Sequence, residues 1–204
     1  MLHREWLSPH TVRITAGGPG FEALRMNEFT DKYAKIIFAD PGLGLTPPYD
    51  LAALRQSLLP DRQPVTRTCT LRRADAERQQ VAIDFVVHGD KGIAAPWAAH
   101  AEPGDIFTLS GAGGAYRPDP GRDWHLFAGD ESALPAICSA LEALPGDARG
   151  IAIRCGVAAV VSPWFVGRTR LRSRAGARRR ARLDYGTCLR RRPGRRRPGA
   201  RHRE

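Results

Sequence analysis

The sequence has no closely spaced cysteines: Cys69, Cys138, Cys155 and Cys188 are scattered and form no C-x-x-C pair. That spacing removes support for a zinc site or a dithiol redox motif, and isolated thiols in a cytosolic chain are expected to be reduced. No apolar run approaches the length of a membrane span. The N-terminus, MLHREWLSPH, lacks the basic-then-apolar pattern of a signal peptide, so the expectation is a cytoplasmic protein without a membrane span. The glycine run GAGGAY at 111–116 misses the G-x-G-x-x-G spacing and leads to Pro118 instead of into a helix. It is therefore no dinucleotide fingerprint and reads as a flexible turn. Acid is nearly absent from one region. Residues 154–204 hold 17 Arg and no Lys against Asp184 and Glu204, a surplus of +15, while the whole chain is only +11. The first 153 residues, with 15 basic and 19 acidic groups, carry a net −4.

What remains is ordinary globular material, with 42% hydrophobic and 26% charged residues. Residues 1–63 read as a strand TVRITA, a Gly-Pro turn, a strand YAKIIFA, a second turn at 41–48 and a short helix at 51–59. In PVTRTCTLR, period-2 alternation sets Val65, Arg67, Cys69 and Leu71 on one face and Thr66, Thr68, Thr70 and Arg72 on the other. The polar face fits either a solvated barrel strand or a bed for phosphate, since guanidinium forks and hydroxyls both donate to it. VAIDFVV alternates Val81, Ile83, Phe85 and Val87 inward and ends in HGDKG, where Gly89 and Gly92 allow the backbone to aim N–H groups at an anion. An Ala-rich segment begins at Trp97. About six strands with Gly/Pro turns suffice to close an antiparallel barrel.

A second unit begins after Pro118 and Pro120. WHLFA reads as a buried strand, and GDES leads into a helix whose apolar positions are Leu134, Ile137, Cys138, Leu141 and Leu144. Asp130, Glu131 and Ser132 suit its cap, and a carboxylate there disfavours a pyrophosphate. With GIAI following, the pattern starts a parallel α/β unit. It then stops, and the Arg-rich stretch that follows lacks apolar periodicity and repels itself, so disorder is expected. The expected organisation is a barrel at 1–118, the start of an α/β unit at 119–153 and a tail at 154–204. An incomplete α/β unit is expected to leave Ile137 and Leu141 without a partner.

Taken in order, RTCTLR at 67–72, DFVVHGDKGIAAPWA at 84–98, PGD at 103–105, GAGGAY and WHLFAGDESALPAI at 124–137 resemble the siderophore-interacting proteins. These are flavin-dependent ferric-siderophore reductases related to the ferredoxin reductases. TVRIT and FTDKYAKIIF extend the resemblance, which covers roughly residues 6–150. It implies a flavin-binding barrel followed by a nucleotide-binding α/β unit, with FAD as cofactor, NAD(P)H as electron donor and a ferric siderophore as substrate of a monomer. It implies that Arg67, Thr70, Leu71 and Arg72 hold the ribityl and phosphate portion of FAD. His88 and the Gly92, Ala94 and Ala95 turn follow the pyrophosphate, Trp97 packs behind it, and Asp130 lies where nicotinamide and flavin meet. The flavin carries the redox chemistry, so no catalytic acid or base and no protein-bound metal is expected. Two positions depart from the family: Cys69 stands where an aromatic against the flavin is usual, and Ala112 where proline is. The family's further α/β structure is not recognisable in the tail, whose Arg, Gly, Pro and Ala are all encoded by GC-rich triplets, as expected of a truncated or frame-shifted end.

Two other functions follow from the same sequence. A non-catalytic flavin-binding remnant predicts bound FAD that NAD(P)H does not reduce. A basic-tailed nucleic-acid binder predicts nonspecific, salt-sensitive binding through the tail.

Overall fold

The computed structural model describes residues 1–154 and the backbone of one strand beyond them, Ser162–Val166. Six strands make one antiparallel sheet: β1 His3–Ser8, β2 Thr11–Gly17, β3 Tyr33–Phe38, β4 Val65–Asp75, β5 Gln80–Val86 and β6 Thr108–Gly113, in the order β1-β2-β5-β4-β3-β6. Alternation explains its inner face. Val12 and Ile14 of β2 meet Phe85 and Ile83 of β5 in register, Ala34 and Ile36 of β3 sit across from Cys69 and Arg67 of β4, and Leu71 pairs with Ile83. Val12, Ile14, Ile36 and Ile83 are wholly inaccessible to solvent, the expected fate of β-branched side chains on a pleated inner face. The outer strands are tied where Gly104 N donates to Met1 O at 2.9 Å, just before β6. The sheet therefore curls around one core, as the barrel expectation requires.

Two short helices belong to this unit. α1, Leu51–Ser57, starts on Asp50, whose carboxylate accepts from Ala52 N and Ala53 N at 3.0 Å each. α2, Ala94–His100, closes one end of the barrel: Trp97 packs edge-on against Phe38, Phe85 and Phe107, with centroids 5.7, 5.7 and 5.0 Å away.

The second unit is β7 His125–Gly129, α3 Leu134–Ala143, β8 Gly150–Arg154 and β9 Ser162–Val166. β7 and β8 are parallel with α3 as the crossover, the arrangement expected of an α/β start. β9 adds antiparallel to β8, so an edge strand interrupts the stretch expected to be disordered. The rest of that expectation, and the nucleic-acid-binding tail with it, falls outside the described residues.

Two expectations are corrected. The GAGGAY run is no flexible turn. Its first residues complete β6, and Asp31 Oδ1 accepts from Ala115 N and Tyr116 N at 3.0 and 2.9 Å, while Asn27 Nδ2 donates to Ala112 O at 2.9 Å. The apolar surface left open is also not the expected one. Ile137 is buried against Phe127, Ala140 and Ala152, with Leu141 packed on the same cluster. Trp124 and Leu126, at the opposite face of β7, are instead 51% and 57% exposed.

Candidate functional site

The expected site residues divide along β4. Arg67 is exposed, and its Nη1 donates only locally, to Thr66 O at 3.0 Å. Phe38, in register with Val65, packs on Trp97, so Arg67 lies two residues from the strand end that α2 closes, and the exposed loop from His88 to Ile93 leads into that helix. In that loop Gly89 and Gly92 have φ of 67° and 86°, and nothing lies within 4 Å of where a Cβ would stand. A side chain there would meet strain and fill open space in front of the backbone. Ala94 and Ala95 open α2 with no side chain capping their N–H groups, and Trp97 anchors the helix behind them. Arg67, His88, Gly92, Ala94, Ala95 and Trp97 thus belong to one end of the barrel. An exposed guanidinium and an open, glycine-turned backbone there fit a pyrophosphate.

Thr70 lies three residues from Arg67, about 10 Å along an extended strand. It is half-buried and faces outward beside Tyr33. Leu71 is 2% exposed and packs in the core, and its N–H is taken by Lys32 O at 2.7 Å. Cys69 shares the inner face with Ala34 and packs against the same core. Burial pushes its thiol up to about 11, with the nearby Arg67 charge opposing. Against the ordinary 9.0, that shift makes the thiolate fraction at pH 8 about 100-fold smaller than in the unfolded chain. Alkylation of the peptide carrying Cys69, followed by mass spectrometry, is expected to be slower by about that factor in the native protein than in urea. Because the folded pKa is raised, the stability Cys69 contributes is complete below pH 9.0 and is lost as pH rises towards about 11.

Arg72, expected at the FAD phosphate, is placed differently. Its side chain is 1% exposed, and Nη1 and Nη2 donate to Glu142 Oε2 and Oε1 of α3 at 2.8 and 2.6 Å. Burial works against its charge, but the hydrogen bonds and charge of Glu142 outweigh it and raise its pKa. Ser139 of the same helix donates its hydroxyl to Arg72 O at 3.2 Å. The fork that could grip a phosphate is therefore spent on docking α3 against the barrel. Sequence alternation correctly puts Arg72 on the outer face, but a helix some seventy residues later covers that face. Beside it, Asp84 is buried and takes both Nε and Nη2 of Arg13 at 2.6 and 2.8 Å.

Asp130 caps α3's approach. One carboxylate oxygen accepts from Ser132 Oγ at 2.6 Å, Ser132 N at 2.9 Å and Ala133 N at 3.1 Å. These bonds, the Ser132 hydroxyl's foremost, hold its carboxyl below the usual range. Glu131 adds an ion pair with Arg154 at 3.0 Å. The Asp130 carboxylate closes the turn leading into α3, whose own N-cap, Ala133, brings no side-chain cap. Tyr33, at the start of β3, is 40% exposed and in register with both Thr70 and Gly113.

The architecture is thus a six-stranded antiparallel barrel with an open glycine loop at one end, followed by a strand–helix–strand unit. The family model for the siderophore-interacting FAD-binding domain matches residues 1–116, and that for the siderophore-interacting protein matches 122–156. The chain belongs to the siderophore-interacting protein family, whose barrel is an FAD-binding domain. An uncharacterised protein of Mycobacterium tuberculosis is 49% identical over 147 residues, which are 71% of this chain and 52% of that one. The NADPH-dependent ferric-chelate reductase of Escherichia coli is 31% identical over 164 residues, 79% of this chain and 61% of the enzyme. Among solved structures, the siderophore-interacting protein SipS of Aeromonas hydrophila superimposes with a TM-score of 0.61 at 30% identity, covering 81% of this chain and 65% of SipS. The chain spans about half to three-fifths of the length of the curated relatives it matches. No helix among the described residues is long and apolar enough to cross a membrane.

Proposed function

We propose that this chain is the flavin-binding part of a ferric-siderophore reductase that works in the cytoplasm with NAD(P)H as donor. The observation that carries this reading is the conjunction of a family FAD-binding domain with an exposed Arg67 at the same end of the barrel as an open glycine loop. FAD held there would supply the redox chemistry, taking two electrons as a hydride and passing them on singly, so that one NAD(P)H would serve two ferric centres, each brought to the weakly chelated ferrous state. The chain's residues supply position. Arg67 and the N–H groups around Gly92, Ala94 and Ala95 hold the pyrophosphate, Trp97 keeps α2 in place, and Thr70 adjoins the ring. No side chain needs to move a proton in the electron transfer to iron. The donor is supported by the E. coli relative's NADPH dependence, and the substrate by the family's siderophore interaction. The Asp130 carboxylate in the turn before α3 favours a nicotinamide nucleotide whose phosphates rest elsewhere.

The test is anaerobic. FAD-loaded protein mixed with NADPH or NADH is expected to bleach in the visible, and adding a ferric siderophore should restore the oxidised spectrum while a ferrous trap colours. Retained FAD that neither nucleotide bleaches would replace this reading with that of a non-catalytic flavin-binding protein.

A further inference from the structure

Tyr33 is held in an unusual posture by its neighbours. In the sheet it forms a row with Thr70 on β4 and Gly113 on β6, all on the outer face, because the next row, Ala34 with Cys69, turns to the core and Ala34 is 1% exposed. A Cβ built on Gly113 would stand 2.3 Å from Tyr33 Cζ, 2.5 Å from its Oη and 2.7 Å from its Cε2. Similar distances to three atoms at the far end of the ring mean that the ring lies down over the glycine instead of standing away from the sheet. Only a residue without Cβ permits this. The strand beneath is fixed as well: Gly114 lies so close to Phe29, Asn27 and Asp31 that its own Cβ would come within 2.9 to 3.2 Å of them. With one side on Gly113, a ring still 40% exposed offers its other side to solvent. The result is a rigid aromatic plate next to Thr70, inside the FAD-binding domain. Exposing a large aromatic in this way forgoes burial, and a planar partner restores it.

We propose that Tyr33 is the stacking platform for the isoalloxazine ring of bound FAD and that Gly113 exists in this chain to lay it flat. The inference rests on the FAD-binding reading. It also accounts for how the site works with Cys69, which faces the core and offers no ring. Offset stacking adds about 0.5–1.5 kcal/mol beyond burial, or about 2- to 12-fold in affinity. Contact with tyrosine also quenches flavin fluorescence.

Titration of the whole chain with FAD, followed by flavin fluorescence, tests this in four proteins. The unaltered chain and Tyr33→Phe are expected to bind alike, with emission quenched in the unaltered chain and brighter in Tyr33→Phe, whose ring stacks but does not donate an electron to the excited flavin. Tyr33→Leu and Gly113→Ala are expected to bind about 2- to 12-fold more weakly and to emit more brightly. The Gly113→Ala variant keeps the phenol but must swing it aside, so it carries the test if Tyr33→Leu fails to fold. Unchanged affinity and emission in both Tyr33→Leu and Gly113→Ala would overturn the platform while leaving FAD binding intact. A folded parent chain that binds no FAD would overturn both.

Discussion

Glu142→Ala is expected to lower the unfolding free energy by about 3 kcal/mol, because it leaves Arg72 charged and unpaired under α3. The two partners differ in exposure, Arg72 at 1% and Glu142 at 30%, so solvent that enters beside the truncated side chain relieves part of the cost and places it at the low end for a buried pair. Arg73 does not rescue it, being itself 3.9 Å from the same carboxylate. The charge-free pair Arg72→Met with Glu142→Leu should recover most of the loss, since desolvation and attraction disappear together. Urea unfolding of the parent chain, Glu142→Ala and the double variant measures it. A loss below about 0.5 kcal/mol in Glu142→Ala would mean that the pair is no better than an exposed one. The same substitution should loosen α3 from β4, since the helix is otherwise tied there by the Ser139 hydroxyl and its apolar neighbours. Limited proteolysis between β6 and β7 is expected to quicken.

Arg67→Ala is expected to weaken FAD binding by about 10- to 100-fold, the loss of one or two hydrogen bonds to a charged group. The magnitude follows from isolation. With Arg72 committed to Glu142, the exposed guanidinium on β4 at the glycine-loop end is Arg67. The substitution should also flatten the salt dependence of binding and leave stability within about 0.5 kcal/mol, because Arg67 is exposed and bonded only to its neighbour's carbonyl. Equilibrium dialysis at two ionic strengths measures both effects. Riboflavin, which lacks the phosphates, is expected to bind Arg67→Ala and the parent chain equally. A riboflavin affinity that falls in parallel with that for FAD would assign Arg67 to the ring instead.

Where neighbours along the chain decide the structure, the sequence is legible. β2, β3 and β5 follow from alternation, with Val81, Ile83 and Phe85 inward as expected. α3 follows from its apolar spacing, whereas Asp130, expected to cap it, closes the turn before it. β1 is not legible, because an edge strand with mostly exposed side chains has no apolar period to display. β6 is hidden for a related reason: its glycines suggest freedom, whereas bonds from Asn27 and Asp31, more than eighty residues away in sequence, remove it. Arg72 shows the same limit at the site. Its residue type and face suit phosphate, and only the arrival of Glu142 commits it elsewhere. The family resemblance supplies the cofactor, which no spacing in the chain specifies. The reverse holds for Tyr33, whose significance lies in the ring's posture over Gly113.

The visible spectrum of the purified chain, loaded with FAD and freed of excess by gel filtration, tests the central claim most directly. Retained absorption in the flavin bands, close to one FAD per chain and reduced by Arg67→Ala, is the predicted result. A chain that is folded by circular dichroism and emerges colourless would contradict it.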